Sequence, residues 1–264
     1  MPLIHGFFLI ALCCLMSCTS VQETRRSALQ LIPQQRLNDL SKSEFERLKQ
    51  ELKLSENEAH HKQIQRVLNR LSAVASENAN ASMFSWEYIL IENDAKINAF
   101  ALPGGQFGIY TGIFKVALTD DDLAVVLGHE MAHVLARHGG ERLSQQMLAY
   151  GGSVLLGVNN KRASSERKRQ LMTAYSVGSN LAILLPYSRL HEEEADRLGM
   201  LYMAKAGYDP RAVIPFWQRM AQDKSIHMPE FISTHPSDNK RMDYLQLLLE
   251  EAMLVYENRL SLTQ

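Results

Sequence analysis

The chain has 264 residues, of which 46% are hydrophobic and 22% charged, and its formal net charge is −1. That length suits one medium domain with a short appendage. The near-neutral balance excludes a strong pull toward nucleic acid, and no Lys/Arg cluster is interleaved with aromatics as a single-strand binder requires. The three cysteines, Cys13, Cys14 and Cys18, all lie at the N-terminus. None can staple the body, which must hold through its core, helped at most by a metal.

The apolar run from Leu3 to Met16 is shorter than the roughly 20 residues a spanning helix needs. Leu15-Met16-Ser17-Cys18 has the form of a bacterial lipobox, with cleavage before Cys18 and lipid attachment to it. Thr19 follows instead of Asp, which in Gram-negative bacteria favours the outer membrane. Residues 1–17 are therefore expected to be a lipoprotein-type signal peptide, with the mature chain in the periplasm, held to the membrane by lipidated Cys18. A simple cleaved secretory signal and an uncleaved anchor are the alternatives.

Residues 18–55 read as a polar tether followed by a first helix with periodicity around Phe45 and Leu48. Residues 56–264 read as the main domain. Ile64, Val67, Leu68, Leu71 and Val74 recur at helical spacing, so His60 to Ala75 is an amphipathic helix. Ser76 to Ser82 is a loop. Trp86 to Ile91, Ile97 to Leu102 and Phe107 to Tyr110 read as three strands of a small antiparallel sheet, punctuated by Asn93-Asp94 and Pro103-Gly104-Gly105. Thr119 or Asp120 caps a helix whose acidic first turn suits its dipole. Its apolar face is Leu123, Val126, Leu127, Met131, Val134 and Leu135, and it is expected to end at Gly139-Gly140. Ala149 to Ser188 holds two apolar stretches around a basic loop, read as core helices or as a membrane-touching lid. Leu190 to Ala206 is a helix, Asp209-Pro210 opens another as N-cap and N1, and a last helix runs from Pro236 to about Tyr256. The fold class is α+β, mainly helical.

The chemistry sits in His129-Glu130-Met131-Ala132-His133. Residues four apart on a helix share a face, about 6 Å along the axis, so His129 and His133 can address one zinc ion while Glu130 lies beside the metal's water. Two histidines leave a catalytic site one protein ligand short. A His at position 139 with a Gly at 136 would be one completion, but those positions hold Gly139 and Ala136. His138 falls out of that register and reads as structural. The other completion is a carboxylate from a second helix. In His191-Glu192-Glu193-Glu194-Ala195-Asp196, Asp196 shares a face with Glu192 or with Glu193, whereas Glu194 points elsewhere. A Glu on that face can ligate the metal, and the Asp can hold a ligating imidazole by its other nitrogen. Separately, Ile97 to Leu102 can serve as a sheet edge that takes an extended peptide as an added strand, or as an ordinary core strand.

These segments resemble the gluzincin metallopeptidase family of the CAAX prenyl endopeptidase and the HtpX protease, closest to its soluble periplasmic chaperone-proteases and mitochondrial Oma-type members. The likeness is carried by Asn98 to Gly105, His129 to His133, Glu192 to Gly199, and Ser233-Thr234-His235-Pro236 with Arg241. It implies a zincin-like fold for residues 56–264 and one Zn2+ per chain on His129, His133 and Glu192, selecting Glu192 over Glu193. It also implies a catalytic-site role for Asp196, including proton donation, and substrate binding by Asn98, Ala99, Phe100 and Ala101. Envelope polypeptides, misfolded or stalled, are the expected substrates, with outer-membrane assembly factors as candidate partners.

The expected mechanism is hydrolysis by a zinc-activated water with Glu130 as general base. His235 is the candidate oxyanion donor or a gate on the metal's open position. A holdase using the same cleft is the competing reading, which an intact Glu130 disfavours. A structural zinc site is disfavoured because such sites usually use four ligands rich in Cys.

Overall fold

The computed structural model describes residues 18–22, 24–79, 81–157, 188–222, 235 and 239–262. The leader expected over 1–17, the apolar stretch Leu181 to Leu185 and the basic loop before it lie outside the described residues. Seven α-helices are described: α1 (Gln34–Glu51), α2 (Glu58–Ala75), α3 (Asp120–Leu135), α4 (His138–Gly157), α5 (Arg189–Lys205), α6 (Val213–Gln222) and α7 (Asn239–Leu262). Strands β1 (Cys18–Ser20) and β2 (Ser27–Leu29) form an antiparallel pair. Strands β3 (Tyr88–Ile91), β4 (Ala99–Ala101) and β5 (Phe107–Tyr110) form a second sheet in the order β3-β5-β4.

That sheet is mixed, not wholly antiparallel as the sequence suggests. β4 pairs antiparallel to β5, whereas β3 runs parallel to it. The expected hairpin order would have paired β3 with β4. Instead β5 enters between them, because Pro103-Gly104-Gly105 folds it back on β4 and leaves β4 at an edge. Leu90, Ala99, Phe107 and Ile109 belong to the main core, while Ile89, Ile91, Phe100 and Leu102 join Phe45 and Leu48 of α1 on the other face. A sheet buried on both faces reads as near-continuous apolar runs, which is the character of Tyr88 to Ile91.

The segment read as a tether is part of the body. Val21 and Ala28 are buried in the main core. The Gln30 side chain donates to the Arg137 carbonyl (3.0 Å) and the Leu31 amide to Ser144 Oγ (2.9 Å). A polar strand pair of this kind carries little apolar periodicity, so composition alone reads it as solvated.

Helix α3 is buried from Asp122 to Leu135. Thr119 and Asp122 close a capping box at its start, which satisfies two of the free amide donors. The helix stops at Leu135, earlier than Gly139-Gly140. Ala136 is its C-cap and Arg137 takes a left-handed conformation, φ 59°. The chain reverses there, and His138 starts α4. The two glycines serve close packing: a Cβ on Gly140 would lie 2.4 Å from Gln30 Oε1, and one on Gly139 would lie 3.0 Å from Pro103 Cγ. No helix among the described residues is long and apolar enough to cross a membrane.

Candidate metal centre

Helix α5 crosses α3 where both lack side chains. A Cβ on Gly199 would lie 2.9 Å from the His129 Cα, and one on Gly128 would lie 3.0 Å from the Gly199 carbonyl oxygen. Glu192 and Asp196 precede Gly199 by seven and three residues on the same face, so this close approach carries both carboxylates to His129. Glu193 is exposed, which separates it from Glu192.

His129, His133, Glu192 and His235 each turn one ligand atom into a common space, all within 4.8 Å of one another. His129 Nε2 lies 3.0 Å from His133 Nε2 and 3.2 Å from His235 Nδ1. Glu192 lies 3.4 Å from both Nε2 atoms and 3.1 Å from His235 Nδ1. A tetrahedral zinc with bonds of about 2.0–2.1 Å sets its ligand atoms about 3.3 Å apart, so the spacing fits. The donor chemistry fits as well. Three imidazole nitrogens and a carboxylate crowd together away from water, and Glu192 Oε2 has no hydrogen-bond partner. A cation satisfies such a set where protons on every nitrogen cannot.

Glu130 stands beside this group. His235 Nε2 is 3.2 Å from Glu130 Oε1, and the Ala101 amide donates to Glu130 Oε2 at 3.1 Å. β4 pairs with β5 through its even-numbered residues, as the Leu102–Gln106 and Tyr110–Asn98 bonds show. Alternation then turns the main-chain groups of Ala99 and Ala101 away from β5, to a side where no strand pairs among the described residues. Asn98 and Phe100 face differently: both side chains are buried, and a Cβ on Gly108 would lie 2.2 Å from the Phe100 ring. Of the four residues expected to bind substrate, Ala99 and Ala101 present backbone at the edge nearest Glu130.

Asp196 lies behind His129, away from the converging atoms. Its Oδ1 is 3.0 Å from His129 Nδ1, and Arg241 grips it with two bonds of 2.8 and 2.7 Å. The same guanidinium lies over the Trp217 ring at 3.8 Å and donates to the His235 carbonyl at 3.3 Å. Burial would raise the Asp196 carboxyl, but Arg241 and His129 hold it below the usual range. Glu192 is likewise held well below that range against its burial, chiefly by His235. Burial works against charge on His235 too, yet Glu192 and Glu130 push it up to about 9.

The far side of His133 holds residues that helical periodicity does not reveal. His138 returns there through the Arg137 turn and puts its Nδ1 2.8 Å from His133 Nδ1. Glu194, set aside as pointing elsewhere, receives the other His138 nitrogen at 2.8 Å. The only local signal for this was a buried-type His five residues past His133.

Two histidines one helical turn apart, a glutamate between them and a carboxylate from a second helix define a metallopeptidase of the zincin class. The chain belongs to peptidase family M48, whose model matches residues 58–248. It is 33% identical over 245 residues to the metalloendopeptidase OMA1 of Homo sapiens mitochondria, covering 89% of this chain and 46% of the relative. The corresponding protein of Schizosaccharomyces pombe is 36% identical over 196 residues, 74% of this chain and 54% of the relative. The beta-barrel assembly-enhancing protease of Escherichia coli K12 is 28% identical over 184 residues, 66% of this chain and 37% of the relative. The chain thus spans about half or less of the curated relatives it matches.

Proposed function

We propose that this protein is a zinc-dependent endopeptidase acting on polypeptides of a bacterial envelope. The observation that carries the reading is the convergence of His129, His133 and Glu192 on one point with Glu130 alongside. Zinc, when bound, supplies Lewis acidity that polarises a carbonyl and makes a nearby water acidic. Glu130 takes the proton of the attacking water and passes it to the leaving amine. The open edge of β4 holds the substrate backbone as an added strand, and Asp196 holds His129 by Nδ1 so that Nε2 keeps its lone pair. Glu130→Gln should retain zinc and lose casein hydrolysis by at least about 10²-fold, the usual size of a general-base contribution. Equal proteolysis by wild type and variant would sink the enzyme reading, and suppression of aggregation without cleavage by either would favour a holdase.

His235 shuts the site at rest. Its Nδ1 lies among the other three converging atoms, where it would take the fourth position on a bound metal, and its Nε2 faces Glu130. Substrate displaces it, and the freed imidazole can donate to the oxyanion. As a plug, His235 predicts that His235→Ala is overactive and cleaves itself. As chiefly an oxyanion donor, it predicts a fall of roughly 10²-fold with zinc retained. Wild-type zinc content, kinetics and self-cleavage together would remove it from the site.

The lipobox-like Leu15 to Cys18 and the bacterial relatives support a reading of location and substrates. The chain is anchored at the outer membrane through Cys18, facing the periplasm, and its substrates are misfolded or stalled envelope proteins. Cys18→Ala should move the protein from the membrane to the soluble fraction on cell fractionation; unchanged sedimentation would point to the stretches around Leu155 and Leu184.

A further inference from the structure

The loop between β1 and β2 reaches the metal centre from behind. Arg26 Nε donates to Glu194 Oε2 at 2.7 Å, and Thr24 Oγ1 donates to Glu194 Oε1. Arg26 Nη1 also lies 2.8 Å from Glu141 Oε2, which in turn faces His191 Nε2 at 3.2 Å. The His191 ring stacks on His138 at 4.4 Å. Glu194, Glu141, His138 and His191 are all buried.

The polarity of this chain of bonds is fixed at its two ends. A carboxylate can only accept, so His138 donates to Glu194 through Nε2. His133 turns Nε2 toward the metal position, so its Nδ1 carries the proton and His138 Nδ1 accepts the bond. His133 is left with its lone pair on Nε2, the atom that faces His129 Nε2 and Glu192. Three hydrogen bonds therefore run from an N-terminal loop to the choice of tautomer on a ligand imidazole.

We infer that Thr24 and Arg26 are positioning residues of the metal centre, acting through Glu194 and His138 to hold His133 in its ligating tautomer and orientation. The inference rests on the reading of His133 as a metal ligand. Without the guanidinium, two buried carboxylates lose their shared cation. Glu194 is then freed to rotate away from His138, and His133 loses its fixed partner.

The test uses the full purified chain. Zinc affinity is measured by competition with a chromophoric chelator, the absorption spectrum of the cobalt-loaded protein reports ligand geometry, and thermal melting of the metal-free protein reports the fold. Arg26→Ala should weaken zinc about 10–100-fold, the usual size of an outer-shell loss, and alter the cobalt spectrum. Arg26→Lys, which can pair one carboxylate but not grip both, should fall between. Glu194→Gln should match Arg26→Ala, and the double variant should be no worse than either single one, since both break one chain. Wild-type zinc affinity and cobalt spectrum in Arg26→Lys and Glu194→Gln, whatever their melting temperatures, would overturn the inference and leave these residues purely structural. If Arg26→Ala does not fold, those two variants decide the matter. The underlying ligand reading fails by a different result: zinc affinity unchanged in His133→Ala.

Discussion

The two histidines of α3 that would hold the metal are supported from behind in different ways. His129 meets a carboxylate directly, Asp196, and that carboxylate is locked by Arg241. His133 meets another imidazole, His138, and only then a carboxylate, Glu194, and an arginine, Arg26. Both chains run from imidazole to carboxylate to guanidinium, and both end in a buried or half-buried ion pair. The first draws on α5, which packs against α3, and on α7, which packs against α5. The second draws on a chain reversal and on a loop more than 100 residues away in sequence. The direct flank rests on one buried pair, while the relayed flank is spread over several bonds of similar length and is exposed to whatever moves the N-terminal segment.

The largest effect should come from breaking the direct flank. Asp196→Ala leaves Arg241, which is only 7% exposed, as a buried cation without its main partner. Removing one member of a buried pair costs about 3–5 kcal/mol, or a fall in melting temperature of roughly 10 °C for a chain of this size. Zinc affinity should fall with it by about 10–100-fold. Thermal melting and chelator competition measure the two losses. If Asp196→Ala melts like wild type, the asymmetry drawn between the flanks disappears. A variant at Glu194 should show the contrasting signature, in which zinc affinity falls more than the fold weakens.

The same asymmetry explains what the sequence made legible. Asp196 lies one turn from Glu192 on one helix, so periodicity put Glu192 or Glu193 on a shared face with it, and the family resemblance chose Glu192. His129 and His133 were legible by the same periodicity. The relayed flank depends on Arg137 adopting φ 59°. That conformation is rare for residues other than glycine, and the following Gly-Gly pair suggests a helix end at Gly139-Gly140, past the observed end at Leu135. Glu194 was read by its angle relative to Glu192 and Asp196, and it does point away from them; the partner waiting in that direction was invisible. In the sheet, strand content was readable, but the insertion of β5 between β3 and β4 is a tertiary choice that local alternation does not encode. Position 235 was legible only through its resemblance to a family motif, because its partners lie 43 and 106 residues away.

The smallest expected effect tests whether the relayed flank needs the Arg137 side chain or only its backbone. A left-handed conformation costs a residue with a Cβ roughly 1–2 kcal/mol, and glycine escapes that cost while losing more chain entropy on folding, about 0.5–1 kcal/mol. Arg137→Gly also loses the bond from Arg137 Nε to Gln34 Oε1, 3.0 Å long, worth about 0.5–1.5 kcal/mol net. The bond from Gln30 to the Arg137 carbonyl is made by backbone and persists. These terms nearly cancel, so the glycine variant should melt within a few degrees of wild type and keep its zinc affinity, because the reversal that delivers His138 is intact. Arg137→Val has the opposite balance. A β-branched residue at positive φ is a genuine outlier, so the turn should open, displace His138 and weaken zinc binding together with the fold. Equal losses of zinc affinity in the glycine and valine variants would show that the guanidinium, and not the turn, places His138 behind His133.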